Sequence, residues 1–233
     1  MQPSPSLSDI CVVVPVYNEA MTVAATVSSL RRAFATIVCV DDGSSDDSAQ
    51  LAAAAGAVVL RHVVNQGQGA ALQTGFDYAM RHTGATHVVT FDADGQHLVE
   101  DALAMVRRAR TDHVDVVLAS RFAGRTHDMR LSRELVLRAA TWFTRRTARL
   151  DVTDTHNGLR VLSRHALSRI DLRLPRMAYA SELLNAIVPA GLSYAEEPVT
   201  VIYTDYSRAK GQRNLNSFNI LFDLAVHRLR TAR

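Results

Sequence analysis

The sequence predicts an α/β fold built on a mostly parallel, doubly wound sheet with helices on both faces. Three observations lead there. Through the first 120 residues, short β-branched runs alternate with longer stretches of helical periodicity. The runs are apolar almost throughout rather than at every second position, as in strands covered on both sides. Finally, 48% of the 233 residues are apolar, which suffices for one sizeable core and excludes a disordered chain or a small disulfide scaffold.

Ile10 to Val16 reads as the first strand and Ala20 to Phe34 as the helix behind it. Thr36 to Val40, Asp46 to Ala55 and Ala57 to Leu60 continue the series as strand, helix and strand. The helix Ala70 to Arg81, the strand His87 to Phe91, the helix Val99 to Arg110 and the strand Val114 to Ala119 complete it. Beyond residue 120 the pattern loosens. An Arg-rich stretch, Arg130 to Leu150, leads into a polar turn at Asp151 to Gly158 and a short strand at Leu159 to Leu162. A helix near Tyr179 to Val188, an extended Pro198 to Tyr203 and a helix from Leu215 to Arg230 follow. No repeat or linker interrupts the chain, so residues 1–233 read as one domain: a ligand-binding half over 9–120, an elaborated half over 121–213 and an amphipathic helix over 214–233.

Charge divides the halves. Residues 1–100 carry 4 Arg against 10 acids, whereas residues 101–233 carry 22 basic residues against 13 acids, and Lys210 is the single lysine. An Arg-rich half suits phosphates or an anionic membrane surface, Arg being the better bidentate partner for phosphate. No nucleic-acid module is recognisable, so nucleic acid is not expected as a partner. Cys11 and Cys39 lie inside apolar runs without ligand-spaced partners and read as buried thiols. No stretch reaches the roughly 18 consecutive apolar residues of a spanning helix, and Met1 to Asp9 lacks the features of a secretory signal. The expectation is a cytoplasmic protein.

Ligands of doubly wound sheets bind beyond the carboxyl ends of the strands. The first strand runs into Pro15, Tyr17, Asn18 and Glu19 without the G-x-G-x-x-G turn of a dinucleotide fold, which argues against a nicotinamide or flavin enzyme. Asn18 taken alone reads as a cap of the first helix. The second strand ends in Asp41 and Asp42; Ser45 and Asp46 suit capping, but a further carboxylate at a strand end can accept from a nucleobase or ribose. Gly67 and Gly69 open the third helix, as an anion site or a plain turn. The fourth strand ends in Asp92-Ala93-Asp94-Gly95-Gln96-His97. Two carboxylates so placed are either solvated caps or the oxygen ligands of Mg²⁺ or Mn²⁺, with phosphate oxygens filling the remaining positions. His97 reads as a surface or capping residue.

Taken in order, PVYNE, DDGSSDDS, NQGQGAALQTG, DADGQH, ASRF and NGLRVLSR resemble family 2 inverting glycosyltransferases, nearest to the dolichol-phosphate mannose synthase-like branch. The resemblance covers about residues 9–213. It implies the glycosyltransferase A-type fold, with a Rossmann-like sheet, and transfer of a sugar from a UDP- or GDP-linked donor to a polyprenyl phosphate. It places Pro15, Tyr17, Glu19 and Asp42 at the nucleoside and Asp92 at the ribose and metal, with Asp94 and Gln96 completing the metal site. Arg121, Arg208 and Lys210 match phosphate contacts. Asp154 and Arg160 match a D-x-x-x-G-x-R segment near the acceptor, and either Asp154 or Glu182 is a candidate base. Gln68 departs from the Lys or Arg common at its position, and the C-terminal membrane region of many relatives has no match here.

Two other readings accompany this one: transfer to a sugar hydroxyl of a surface polysaccharide or glycolipid, and a non-catalytic nucleotide-binding partner of a membrane complex. Six Arg with Trp142 and Phe143 in Arg130 to Leu150 suit either a solvated helix face or a membrane interface. The last helix aligns Leu215, Phe218, Phe222, Ala225 and Leu229 in one stripe, which must dock on its own domain, on a partner subunit or small membrane protein, or on lipid. The expected location is peripheral, at the inner face of the plasma membrane.

Overall fold

Ile10, Cys11, Val12, Val13 and Val14 have no exposed surface, although consecutive side chains of a strand point to opposite faces. Both faces of this strand are therefore covered. Cys11 and Val13 join Val38, Leu72 and Phe76 on one side; Ile10, Val12 and Val14 join Leu30, Phe91 and Met105 on the other. The two cores sandwich one sheet. Burial raises the thiols of Cys11 and Cys39 to about 12, so both are inert core residues at neutral pH.

The computed structural model describes residues 7–127, 141–142, 145, 150–155, 157–174 and 179–203. Its elements run β1 (Leu7–Val16), α1 (Val23–Leu30), β2 (Phe34–Asp41), α2 (Ser48–Ala54), β3 (Val58–Arg61), α3 (Gln68–His82), β4 (His87–Thr90), α4 (Val99–Thr111), β5 (Val116–His127), β6 (Arg160–Ser163), α5 (Arg164–Leu167), α6 (Tyr179–Ile187) and β7 (Tyr194–Ile202). Among the described residues the sheet has seven strands in the order β3-β2-β1-β4-β6-β5-β7. β3, β2, β1 and β4 pair in parallel, as do β5 and β7, while β6 runs antiparallel between β4 and β5.

The expected α/β series is present, with three differences of physical interest. α1 begins three residues later than its apolar pattern suggests, because Asn18 adopts a left-handed conformation and Glu19 to Thr22 form a turn. Phe34 is buried as the first residue of β2 rather than the last of α1. β7 begins at Tyr194, not Pro198, and pairs with β5 from Val116 onward.

Gly75 explains how closely α3 rides on the sheet. A β-carbon there would sit 2.3 Å from Val13 Cγ1, so only glycine permits this separation. The expected C-terminal helix, Arg208 and Lys210 lie outside the described residues, as does most of Arg130 to Leu150. Within that stretch Trp142 is 63% exposed and Leu150 is buried. Among the described residues no helix is long and apolar enough to cross a membrane.

Candidate active site

Strand order reverses at β1: the chain steps outward from β1 to β2 and β3, then crosses back to β4 on the other side. The crevice beyond the carboxyl ends of β1 and β4 is the switch point where ligands of open α/β sheets bind. Pro15, Tyr17 and Glu19 leave β1 there, Asp41 and Asp42 end β2, and Asp92 and Asp94 follow β4. In the β4-β6-β5 register Thr90, Arg160 and Leu118 share a row. Gly158 and Arg121 therefore lie near the same edge, with β6 entering where its neighbours leave.

The β1 and β2 loops are bound to each other. Asn18 donates its N–H to Ser44 Oγ at 2.9 Å and accepts the Ser45 N–H at 2.9 Å, Glu19 donates to Ser48 Oγ at 2.7 Å, and Ala20 donates to Asp46 at 3.2 Å. The N-cap position of α1 falls to Thr22 rather than Asn18, whose side chain bridges to the loop after β2. Glu19 is buried and Tyr17 is 45% exposed at the rim.

Asp42 is tied to the loop beyond β3. Its carboxylate accepts from the N–H groups of Gln66 and Gly67 at 2.9 and 2.7 Å and meets His62 Nδ1 at 2.7 Å, pinning the loop between β3 and α3. Asp41 accepts the Ser44 N–H and pairs with Arg61 at 3.0 Å.

Asp92 is held from two sides. Gln68 Nε2 donates to Oδ1 at 2.9 Å, His97 Nε2 lies 3.4 Å from Oδ2, and Gly158 packs against the carboxylate. Burial opposes its ionisation, but His97, Arg160 and Gln68 together hold its pKa below the ordinary value. His97, read from sequence as a surface residue, has a side chain only 5% exposed and stacks edge-on to Phe91. Arg160 is likewise buried, with its guanidinium 5.4 Å from the Tyr179 ring centre. Among the described residues Arg160 Nη1, Asn157 Nδ2 and His97 Nδ1 are buried without a hydrogen-bond partner.

Asp94 behaves in the opposite way. Its Oδ1 accepts the Gln96 N–H at 3.0 Å, yet burial and the neighbouring Asp92 charge raise it to about 6, with Glu19 adding to the repulsion. Asp92 and Asp94 thus oppose each other's ionisation, with Glu19 adding to the field, and carboxylate oxygens of this kind suit a hard divalent cation. Among the described residues no three His, Cys, Asp or Glu side chains group so as to hold a metal ion, so such a cation would need further ligands from a phosphorylated substrate.

Arg121 and Asp154, assigned to separate partners by the sequence, meet in a buried pair. Arg121 Nε donates to Asp154 Oδ2 at 2.5 Å, its backbone N–H donates to the same oxygen at 3.2 Å, and Nη1 reaches Tyr203 Oη at 3.0 Å. Glu182 lies elsewhere: at the first turn of α6 it accepts from the N–H groups of Arg173 and Leu174 at 2.9 to 3.1 Å. Sequence reading missed Gln68, His97 and Tyr203 as partners of these groups.

An open sheet with clustered carboxylates at its switch point and buried arginines beyond it suits an enzyme of phosphorylated donors. Residues 11–171 match the profile of Glycosyl transferase family 2, and the chain belongs to that family. It is similar to an uncharacterised protein of Methanocaldococcus jannaschii, with 33% identity covering 95% of this chain and 93% of that one. It is also similar to the UDP-N-acetylglucosamine–dolichyl-phosphate N-acetylglucosaminyltransferase of Methanococcus voltae, at 29% identity over 93% of this chain and 95% of the other. The polyprenol monophosphomannose synthase of Mycolicibacterium smegmatis is 28% identical over 81% of this chain and 76% of its own length. Among solved structures, the glucosyl-3-phosphoglycerate synthase of Mycobacterium tuberculosis in complex with UDP aligns with a TM-score of 0.71 at 22% identity, covering 92% of this chain and 78% of that one. The fold is the glycosyltransferase A-type, and the protein is a glycosyltransferase.

Proposed function

We propose that this enzyme moves a sugar from a UDP- or GDP-linked donor to a polyprenyl phosphate at the cytoplasmic face of the membrane, inverting the anomeric centre by direct displacement. The observation that carries the reading is the crevice itself: Asp92 and Asp94 follow β4 at the switch point, where burial and the Asp92 charge raise Asp94 to about 6. Relatives named for dolichyl-phosphate and polyprenol acceptors support the acceptor class. Complexes of the Mycobacterium tuberculosis synthase with UDP and Mn²⁺ or Mg²⁺ make a divalent ion a reasonable companion of this fold.

On this reading Pro15, Tyr17 and Glu19 border the nucleoside, and Asp42 acts at one remove by holding the Gln66–Gly67 loop. Asp94 and Gln96 would hold Mg²⁺ or Mn²⁺, with Asp92 beside them. Such an ion neutralises the charge that develops on a departing nucleoside diphosphate. The protein's own residues do the rest. Gln68 and His97 keep Asp92 ionised and in one orientation, and the Asp154–Arg121 pair presents a fixed guanidinium toward phosphate. A phosphate oxygen of the acceptor attacks the anomeric carbon as the bond to the donor diphosphate breaks, and its electron pair leaves with the nucleotide.

The state of the two candidate bases favours a phosphate over a hydroxyl acceptor. Glu182 is taken up by two backbone N–H groups and Asp154 by Arg121, whereas a phosphate anion supplies its own nucleophile and needs no general base. The test is a product assay with a panel of UDP and GDP sugars, polyprenyl phosphate and a glycolipid hydroxyl acceptor, with and without Mn²⁺. Metal-dependent formation of a lipid phosphosugar of inverted configuration is expected. Transfer only to the hydroxyl acceptor would replace the reading by that one, and nucleotide binding with no transfer would favour a non-catalytic role.

A further inference from the structure

Glu196 lies on β7, outside the D-x-D crevice, and has not entered the reaction so far. Its carboxylate reaches across to the turn that carries Asp154. Oε1 accepts the Thr153 N–H at 2.8 Å and the Asp154 N–H at 3.3 Å, and the Thr153 hydroxyl lies 3.2 and 3.1 Å from the two oxygens. The same hydroxyl is 2.5 Å from Ser120 Oγ, which in turn accepts the Ala123 N–H at 3.1 Å. One half-buried carboxylate thus grips the backbone on both sides of the Arg121–Asp154 pair: directly at Asp154, and through Thr153 and Ser120 next to Arg121.

We propose that Glu196 is a positioning residue for sugar transfer, fixing the Thr153–Asp154 turn and through it the direction in which Arg121 presents its guanidinium. This rests on the reading that Arg121 and Asp154 belong to the transfer site. Burial, aided by the Asp154 charge, raises the carboxyl above the ordinary glutamate range, so the fold tolerates a second acid here against its solvation preference. Backbone N–H groups that converge on it offset that preference. A glutamine can keep the Oε1 contacts, whereas an alanine leaves both N–H groups without their acceptor.

The test compares Glu196→Ala, Glu196→Gln, Asp154→Asn and the Glu196→Ala/Asp154→Asn double variant, read by UDP and GDP binding and by transfer to undecaprenyl phosphate. Displacing a reacting group by about 1 Å costs on the order of 10²-fold in rate, and that loss of kcat is expected for Glu196→Ala with nucleotide affinity unchanged. Glu196→Gln should stay within about tenfold of wild type, and the double variant should be no worse than Asp154→Asn, as for residues acting in one chain. Wild-type kcat in Glu196→Ala beside an impaired Asp154→Asn, or additive losses in the double variant, would overturn the proposal alone. Full activity of Asp154→Asn and Arg121→Ala would instead overturn the site reading beneath it. If Glu196→Ala fails to fold, Thr153→Val carries the test: a reduced kcat with intact nucleotide binding supports the relay, and an unchanged kcat refutes it.

Discussion

A β-carbon on Gly158 would lie 2.0 Å from Asp92 Oδ2, closer than any two such atoms can stand. The second residue after β4 and the second before β6 are therefore packed carboxylate against backbone, and Thr90 Oγ1 fastens the contact by donating to the Gly158 carbonyl at 2.6 Å. Gly158→Ala should push Asp92 off Gln68 and His97. Overpacking of this kind costs about 1 to 3 kcal/mol. The expected outcome is a lower Tm together with weaker nucleotide binding, measured by thermal unfolding with and without UDP or GDP; an unchanged response to nucleotide would detach Asp92 from the donor site.

Asp94→Asn exchanges a carboxylate for an amide, a poorer ligand for a hard cation. Far-UV circular dichroism should be unchanged while Mn²⁺-dependent turnover falls by at least about 10²-fold, the scale of losing one well-placed electrostatic group. Turnover near the wild-type rate would remove Asp94 from the metal site.

Asp42→Asn tests whether this acid serves the loop or the nucleoside. Losing one carboxylate oxygen leaves the N–H of Gln66 or Gly67 unpaired, which costs about 1 to 3 kcal/mol for a bond to a charged acceptor. Urea unfolding should report that loss, with hydrogen exchange faster at residues 62–67. A loss of nucleotide affinity without loss of stability would return Asp42 to direct contact.

Asp115 supplies a pH dependence far from the crevice. It accepts from Ser163 and His165 on one oxygen and from the Ser193 N–H and hydroxyl on the other, tying β5, β6 and β7 together at their opposite ends. Burial opposes ionisation, yet His165, Ser193 and Ser163 pull the carboxyl down to about 2. A folded-state value below the usual one near 4 means that the ionised acid favours the fold. Its contribution is complete above about pH 4 and is lost as pH falls toward 2. Asp115→Asn should lower the Tm at neutral pH and flatten its decline across that acid window; an identical acid limb in both proteins would refute the linkage.

Much of this was legible in the sequence, for a physical reason. β1, β2 and β4 are buried on both faces, so their apolar runs are continuous and end sharply at Asp41 and Asp92, where the polar crevice begins. What the sequence hides is which distant segment completes each group. His97 reads as a surface residue because nothing local covers it, yet its backbone pairs with Val201 and its ring turns under Phe91. Asp42, Asp154 and Glu182 each look available as free acids, and each finds backbone or guanidinium donors up to 33 residues away. Capping propensity misled at Asn18 for the same reason, since its partners lie in the next loop rather than in its own helix.

The antiparallel placement of β6 has a consequence for how the protein comes into being. β4 and β5 follow one another in the chain with only α4 between them, yet they do not pair; the slot between them is filled by Arg160 to Ser163. A nascent chain that has emerged through β5 still holds one edge of β4 and both edges of β5 unmatched, and a crevice whose Asp92 lacks its contact with Gly158. Such edges favour intermolecular pairing, and closing a sheet over so many intervening residues is slow. The Asp92–Gly158 contact and the Thr90–Gly158 hydrogen bond can therefore form only once the second half threads β6 between β4 and β5.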